Sequence, residues 1–111
     1  MRNSPELIVM LTHNDRTVAD AAQVFESGRD LPVAVWGMKE ESLPFSQMKA
    51  LYKYMKELGK TTALEVVAYT EKESLAGAKA AAECGCDFLM GTVFSDSVND
   101  FCKENGLIYT P

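Results

Sequence analysis

Glu65 stands in the middle of residues 61–70 (TTALEVVAYT), an otherwise apolar run of strand character. A charge inside a strand covered on both faces is costly unless it lines a polar cavity. Such a carboxylate can serve as a general acid or base, its pKa raised by a partly dry setting. The alternative is a structural Glu paired to a lysine or to backbone donors. Lys39 lies just past the apolar run of residues 33–36. If the strands run parallel, Lys39 shares a rim with the end of the Glu65 strand. A lysine there can form an imine, bind a phosphate or pair with Glu65; the alternative is a solvated loop lysine beside Glu40 and Glu41.

Other polar residues fall at strand ends. Thr12 and Asn14 close the run of residues 7–11 and can meet a substrate carbonyl or hydroxyl, whereas Asp15 suits a helix cap. Gly91 lets backbone approach a ligand, and Thr92 brings a hydroxyl and an N–H near a helix start. Glu65 and Lys39 are therefore the expected catalytic residues, with Thr12, Asn14, Gly91 and Thr92 expected to bind substrate. Trp36 and Tyr69 read as core or rim packing.

Several chemistries have no support. His13 is the only histidine, and no G-x-S-x-G surrounds a nucleophile. Cys84-Gly85-Cys86 is C-x-C, not the C-x-x-C of redox and zinc sites. No spacing rule unites His13, Asp15 and Glu65 on a metal, and no metal is expected. There is neither a P-loop nor a G-x-G-x-x-G, so no cofactor is expected.

The elements that must position these residues alternate regularly. Residues 7–11 (LIVML) are a continuous apolar run, as in parallel strands covered on both faces. Asp15 or Thr17 can cap a first helix carrying Val18, Ala21, Ala22 and Phe25, closed by Gly28. Pro32 opens a second strand over residues 33–36, which stops at Gly37, and residues 38–42 connect onward. Phe45, Met48, Leu51, Tyr52, Met55 and Leu58 make the apolar stripe of a second helix, ended by Gly59. Thr70 and Glu73 form a capping box for an Ala-rich third helix that stops at Gly85. Residues 88–90 are a fourth strand, Ser95 or Ser97 starts a fourth helix ended by Gly106, and residues 107–109 begin a fifth strand. The order is β-α-β-α-β-α-β-α-β across residues 1–111, read as one α/β unit with right-handed crossovers and a parallel sheet.

The totals narrow the function classes. With 111 residues, 47% hydrophobic content and a net charge of -5, the chain reads as one ordinary globular domain. The basic residues are scattered, so nucleic acid is not an expected partner. Residues 1–6 lead into only a short apolar run, too short for a secretory segment or a membrane span, so no membrane partner is expected. With an odd set of three cysteines, a reducing, cytoplasmic setting is expected.

Two architectures accommodate five alternating strands: half of a (β/α)8 TIM barrel, or a flavodoxin-like open doubly wound sheet. Glu65 discriminates between them. In the open sheet it has no wet side. In a barrel, Leu64, Val66 and Ala68 face the helices while Glu65, Val67 and Tyr69 face the lumen. The half-barrel is preferred.

Residues 76–92 (AGAKAAAECGCDFLMGT) carry a helix-to-strand joint in which Gly85 ends the helix and Asp87 precedes the strand. This joint resembles that of the phosphate-binding TIM barrels, such as the ribulose-phosphate-binding barrels and the 2-keto-3-deoxy-6-phosphogluconate aldolases. The resemblance implies a lyase or aldolase, or an isomerase or epimerase, acting on a small phosphorylated sugar or 2-keto acid. It also implies a phosphate site after the seventh and eighth strands and an imine-forming lysine on a late strand, features this sequence does not contain. The competing expectation is a non-catalytic α/β module that binds a ligand or a protein. Exposed first and last strands predict a homo-oligomer that covers them.

Overall fold

The computed structural model describes residues 7–41 and 43–111; residues 1–6 and Ser42, within the expected connection to the second helix, lie outside them. Among the described residues, strand β1 (Ile8–Met10) is followed by a hairpin, β2 (Thr12–His13) and β3 (Arg16–Thr17). Helix α1 (Ala21–Gly28), β4 (Val35–Lys39), α2 (Phe45–Glu57), β5 (Thr61–Glu65), α3 (Glu71–Glu83), β6 (Phe88–Met90), α4 (Asp96–Glu104) and β7 (Ile108–Thr110) complete the order. Strands β1, β4, β5, β6 and β7 form one sheet in that neighbour order, every pair parallel. The α/β class and the alternating parallel order are those expected.

Neighbour order equals chain order, so each crossover moves one strand along in the same direction. Crossovers of one hand then lay their helices on one face. The core agrees. Trp36, Met38, Leu64 and Leu89 share a face by register and alternation, and they cluster with Phe25 of α1, Tyr52 and Met55 of α2, Ala78 and Ala81 of α3, and Val98 and Cys102 of α4. The opposite face holds Met10, Val35, Gly37, Ala63, Phe88 and Met90, which stand outside that helix-built cluster.

Local chemistry explains the joints. Gly59, Gly85 and Gly106 end α2, α3 and α4 with φ of 79°, 70° and 71°, the left-handed conformation glycine adopts freely. Past Gly85, the Asp87 carboxylate accepts from the Thr62 backbone N–H at 2.8 Å and from Lys56 Nζ at 2.8 Å. One side chain thus ties the start of β5 to α2 just before β6 begins. The cap forms at the expected pair: Thr70 Oγ1 accepts from the Glu73 N–H at 3.2 Å, while the Glu73 carboxylate reaches back to the Thr70 hydroxyl, at 2.9 Å, in place of the backbone N–H of a full capping box. The buried Tyr52 hydroxyl accepts from the Met38 N–H at 3.1 Å and donates to the Ala63 carbonyl, so α2 is anchored to the backbones of β4 and β5 together.

Several expectations fail here. Neither Asp15 nor Thr17 caps α1, which starts at Ala21 behind Asp20; residues 12–17 are spent on the hairpin, and Val18 lies outside the helix with its N–H on the Leu11 carbonyl. Gly28 is the last helical residue and not a left-handed stop; the Trp36 ring lies 3.2 Å from where a Cβ would sit. Gly37 does not end its strand. The Met10 sulfur occupies the space a side chain there would need, at 2.5 Å from an ideal Cβ, and β4 runs on to Lys39. Ser95 does start α4 as its N-cap residue, although its hydroxyl lies 3.0 Å from that of Ser97 and makes no capping hydrogen bond.

All three thiols are free and buried. Burial pushes Cys84 up to about 11 and Cys86 up to about 12. A thiol whose folded pKa lies above its unfolded value favours the fold while both states stay protonated, and that contribution is lost as pH rises toward the folded value. Melting temperature is therefore expected to hold to the ordinary thiol range, about pH 8.5, and to fall above it. Substituting serine for Cys84 and Cys86 together is expected to flatten that alkaline fall, as followed by circular dichroism.

Candidate functional site

The C-terminal ends of parallel strands are where an α/β sheet gathers ligand-binding groups. On the face without helices, Lys39, Glu65, Met90 and Thr110 form one row across β4, β5, β6 and β7, in direct register. The row below it, Met10, Gly37, Ala63, Phe88 and Ile108, is apolar or featureless. Polarity is therefore concentrated at the rim. Lys39 and Glu65 are cross-strand neighbours, as their positions in the sequence suggest.

Lys39 is not a loop lysine. It is the last residue of β4, with a side chain only 7% exposed. Its ammonium donates to Asp15 Oδ2 at 2.9 Å, while the Asp15 side chain is 85% exposed. Asp15 reaches it from the turn of the β2–β3 hairpin. Asn14 and Asp15 have φ of 52° and 64°, the pair of left-handed residues that a two-residue hairpin turn demands and that Asn and Asp tolerate best. The hairpin also holds the Lys39 backbone. Thr17 Oγ1 accepts from the Lys39 N–H at 2.9 Å and donates to the Lys39 carbonyl at 2.8 Å. It takes the place of a next residue of β1, which has turned away after Leu11. The hydrogen bond with Asp15 raises the Lys39 pKa against the opposing effect of burial, and the charges of Asp15, Glu41 and Glu65 add to it. Lys39 is thus held as an ammonium.

Glu65 ends β5, half-buried beside Gly91. Gly91 has φ of 91°, and a Cβ there would meet Glu65 Cγ at 3.0 Å and the Val66 carbonyl oxygen at 3.1 Å. The glycine is needed twice, for its backbone and for its lack of bulk. Val66 and Ala68 are buried, whereas Val67 and Tyr69 are 45% and 78% exposed, the alternation expected of a strand with one helix-covered face.

The expected substrate-binding residues divide. Gly91 borders Glu65. Thr92 is buried, its hydroxyl 2.6 Å from the Tyr109 hydroxyl, and so is engaged in the core. Thr12 pairs with Thr17 in the hairpin, and Asn14 is exposed in its turn. These two support Lys39 through the hairpin. Asp15 and Thr17, read from the sequence only as helix caps, are the residues that contact Lys39. A short polar stretch with Asn-Asp at its centre is the one signal that could have disclosed the hairpin.

A cavity of about 500 Å³ lies between the segments that follow β5 and β6, and no residue of the row lines it. Tyr69, Thr70 and Glu71 line one side, and Phe94, Ser95 and Asp96 the other. Tyr69 is a wall of this cavity more than a packing residue. Two carboxylates in the lining make it inhospitable to anions even though two helices begin there. No group of three or more His, Cys, Asp or Glu side chains among the described residues is placed to hold a metal ion. No described helix is long and apolar enough to cross a membrane. Comparison with protein-family models, with curated proteins and with solved structures finds no match.

Gly91→Ala is expected to cost about 1–3 kcal/mol, from the left-handed backbone and the crowding of Glu65. Urea denaturation measures the loss.

Proposed function

We propose that this chain is a barrel-type α/β unit whose rim carries out proton transfer next to a carbonyl, in an isomerase or lyase acting on a small phosphorylated sugar or 2-keto acid. The observation that carries the reading is the cross-strand register of a half-buried carboxylate, Glu65, with a fixed ammonium, Lys39, at the strand ends of the face without helices. In the proposed reaction Glu65 takes the proton from the carbon beside the substrate carbonyl. The C–H electron pair forms a carbon–carbon double bond as the carbonyl π pair moves onto oxygen, and the Lys39 ammonium stabilises the resulting enolate. With a hydroxyl on the deprotonated carbon, that hydroxyl's proton shifts to the enolate oxygen, and return of the first proton to the former carbonyl carbon gives isomerisation. The same enolate is the product of carbon–carbon cleavage. A non-catalytic module buried under helices on both faces finds less support, because residues of all four described helices cluster with Met38, Leu64 and Leu89, which alternate with Glu65.

Deuterium exchange tests this without a known physiological substrate. In D2O, the protein is expected to wash out the α-protons of at least one member of a panel containing pyruvate, 2-oxobutyrate, dihydroxyacetone phosphate and ribulose 5-phosphate. Proton NMR follows the loss. Glu65→Gln is expected to reduce the rate at least 100-fold with an unchanged melting temperature. Absence of exchange across the panel, or exchange unaltered in Glu65→Gln, would overturn the assignment.

The same reading includes a partner. β1 and β7 each have one strand neighbour among the described residues, and Ile8 and Ile108, at opposite ends of the uncovered face, are 37% and 55% exposed. In an all-parallel sheet the free edge of β7 is the complement of the free edge of β1. A second copy turned about an axis along the strands can pair β7 with β1 at both junctions and cover both apolar faces. The 111-residue chain is expected to sediment as a dimer, and Ile108→Lys is expected to shift it to monomer. A wild-type monomer at micromolar concentration would exclude this arrangement.

A further inference from the structure

The hairpin of residues 12–17 is an insertion between β1 and α1 that adds no strand to the main sheet. Two hydrogen bonds and an ion pair from the hairpin meet on one residue of β4. Thr17 brackets the Lys39 backbone from both sides, and Asp15 holds the Lys39 ammonium at 2.9 Å. The turn that presents Asp15 places two consecutive non-glycine residues at positive φ, a conformation that costs energy at each. Asp15 exposes 85% of its side chain and covers a lysine side chain that exposes 7%. Removing that carboxylate would leave a buried ammonium without its nearest counter-charge.

We propose that the hairpin is a positioning clamp for Lys39, with Asp15 as the positioning residue, and that it fixes this lysine as a cation and keeps it from imine chemistry. The inference rests on the reading of Lys39 as the cation of the rim and adds the device that enforces it. The physical reason lies in the balance at Lys39: the hydrogen bond to Asp15 is the largest influence favouring the charged form, and burial is the largest opposing it. Without Asp15, burial becomes the leading influence, partly offset by Glu41 and Glu65. The amine then loses its proton at lower pH and becomes nucleophilic.

Borohydride trapping with pyruvate reads this out independently of turnover. Imine formation joins Lys39 Nζ to the keto carbon with loss of water, and borohydride delivers hydride to the C=N bond, leaving a stable secondary amine. Peptide mass spectrometry locates it. At pH 8, wild-type Lys39 is expected to remain unmodified while exposed lysines such as Lys49 react. In Asp15→Asn, Lys39 is expected to be trapped at least tenfold faster, and Asp15→Glu is expected to restore protection. Because the substitution also uncovers the amine, the Lys39 Nζ titration is followed by 15N NMR in parallel, and its midpoint is expected to fall in Asp15→Asn. Equal trapping of Lys39 in wild type and Asp15→Asn, or a midpoint that does not move, would overturn the proposal. Thr17→Val supplies an independent arm: loosening the backbone bracket is expected to speed trapping at Lys39 as well, and unchanged protection there would remove Thr17 from the clamp. Turnover enters none of these readouts, so a failed exchange assay leaves the clamp standing, and a failed clamp leaves the exchange assay to be judged alone.

Discussion

The sheet is built under one constraint: each new strand lies beside the one before it, and each helix returns over the same side. The second face follows from that. It carries no helix, so its residues are free of the demand to pack against one, and it can hold a charge at the strand ends. The buried Tyr52 hydroxyl and the Asp87 carboxylate secure this arrangement at the backbone level, one bridging β4 and β5, the other fastening β5 to α2. The Tyr52 contact spans β4 and β5 at Met38 and Ala63, and the register of these strands makes Lys39 and Glu65 neighbours.

Much of this architecture is legible in the sequence, because it rests on patterns the chain states locally. The stripe of Met48, Leu51, Tyr52 and Met55 is buried as its spacing requires, and the Thr70–Glu73 cap and the glycine stops fall where their chemistry places them. The alternation of Leu64 and Val66 with Glu65 and Val67 separates the two faces before any coordinates are known. The errors share a cause. Gly28 does close α1, but not as a left-handed stop, and Gly37 sits inside β4; each is small because a distant side chain, Trp36 or Met10, needs the space. That information is tertiary and leaves no local trace.

The candidate site was half legible. Glu65 and Lys39 are identified by type and position, and the parallel order brings them to the same rim. The hairpin was missed because Asp and Thr ahead of an apolar helical pattern suit a cap equally well, and only the fold shows that Asp15 and Thr17 are spent on Lys39. Thr92 illustrates the converse, since a hydroxyl at a strand end is as useful to the core, here to Tyr109, as to a ligand.

The strand order has one more consequence. β4 joins β1, β5 joins β4, β6 joins β5 and β7 joins β6, so no late strand wedges between two earlier ones. A chain emerging from a ribosome can therefore lay down the sheet from one side, each βα unit docking on an edge that already exists. The loops that must close are the length of single crossovers, which keeps the entropy of each step low. Sheets whose order reverses midway must hold an edge open until a distant strand arrives. This one grows outward, in the direction of its own synthesis.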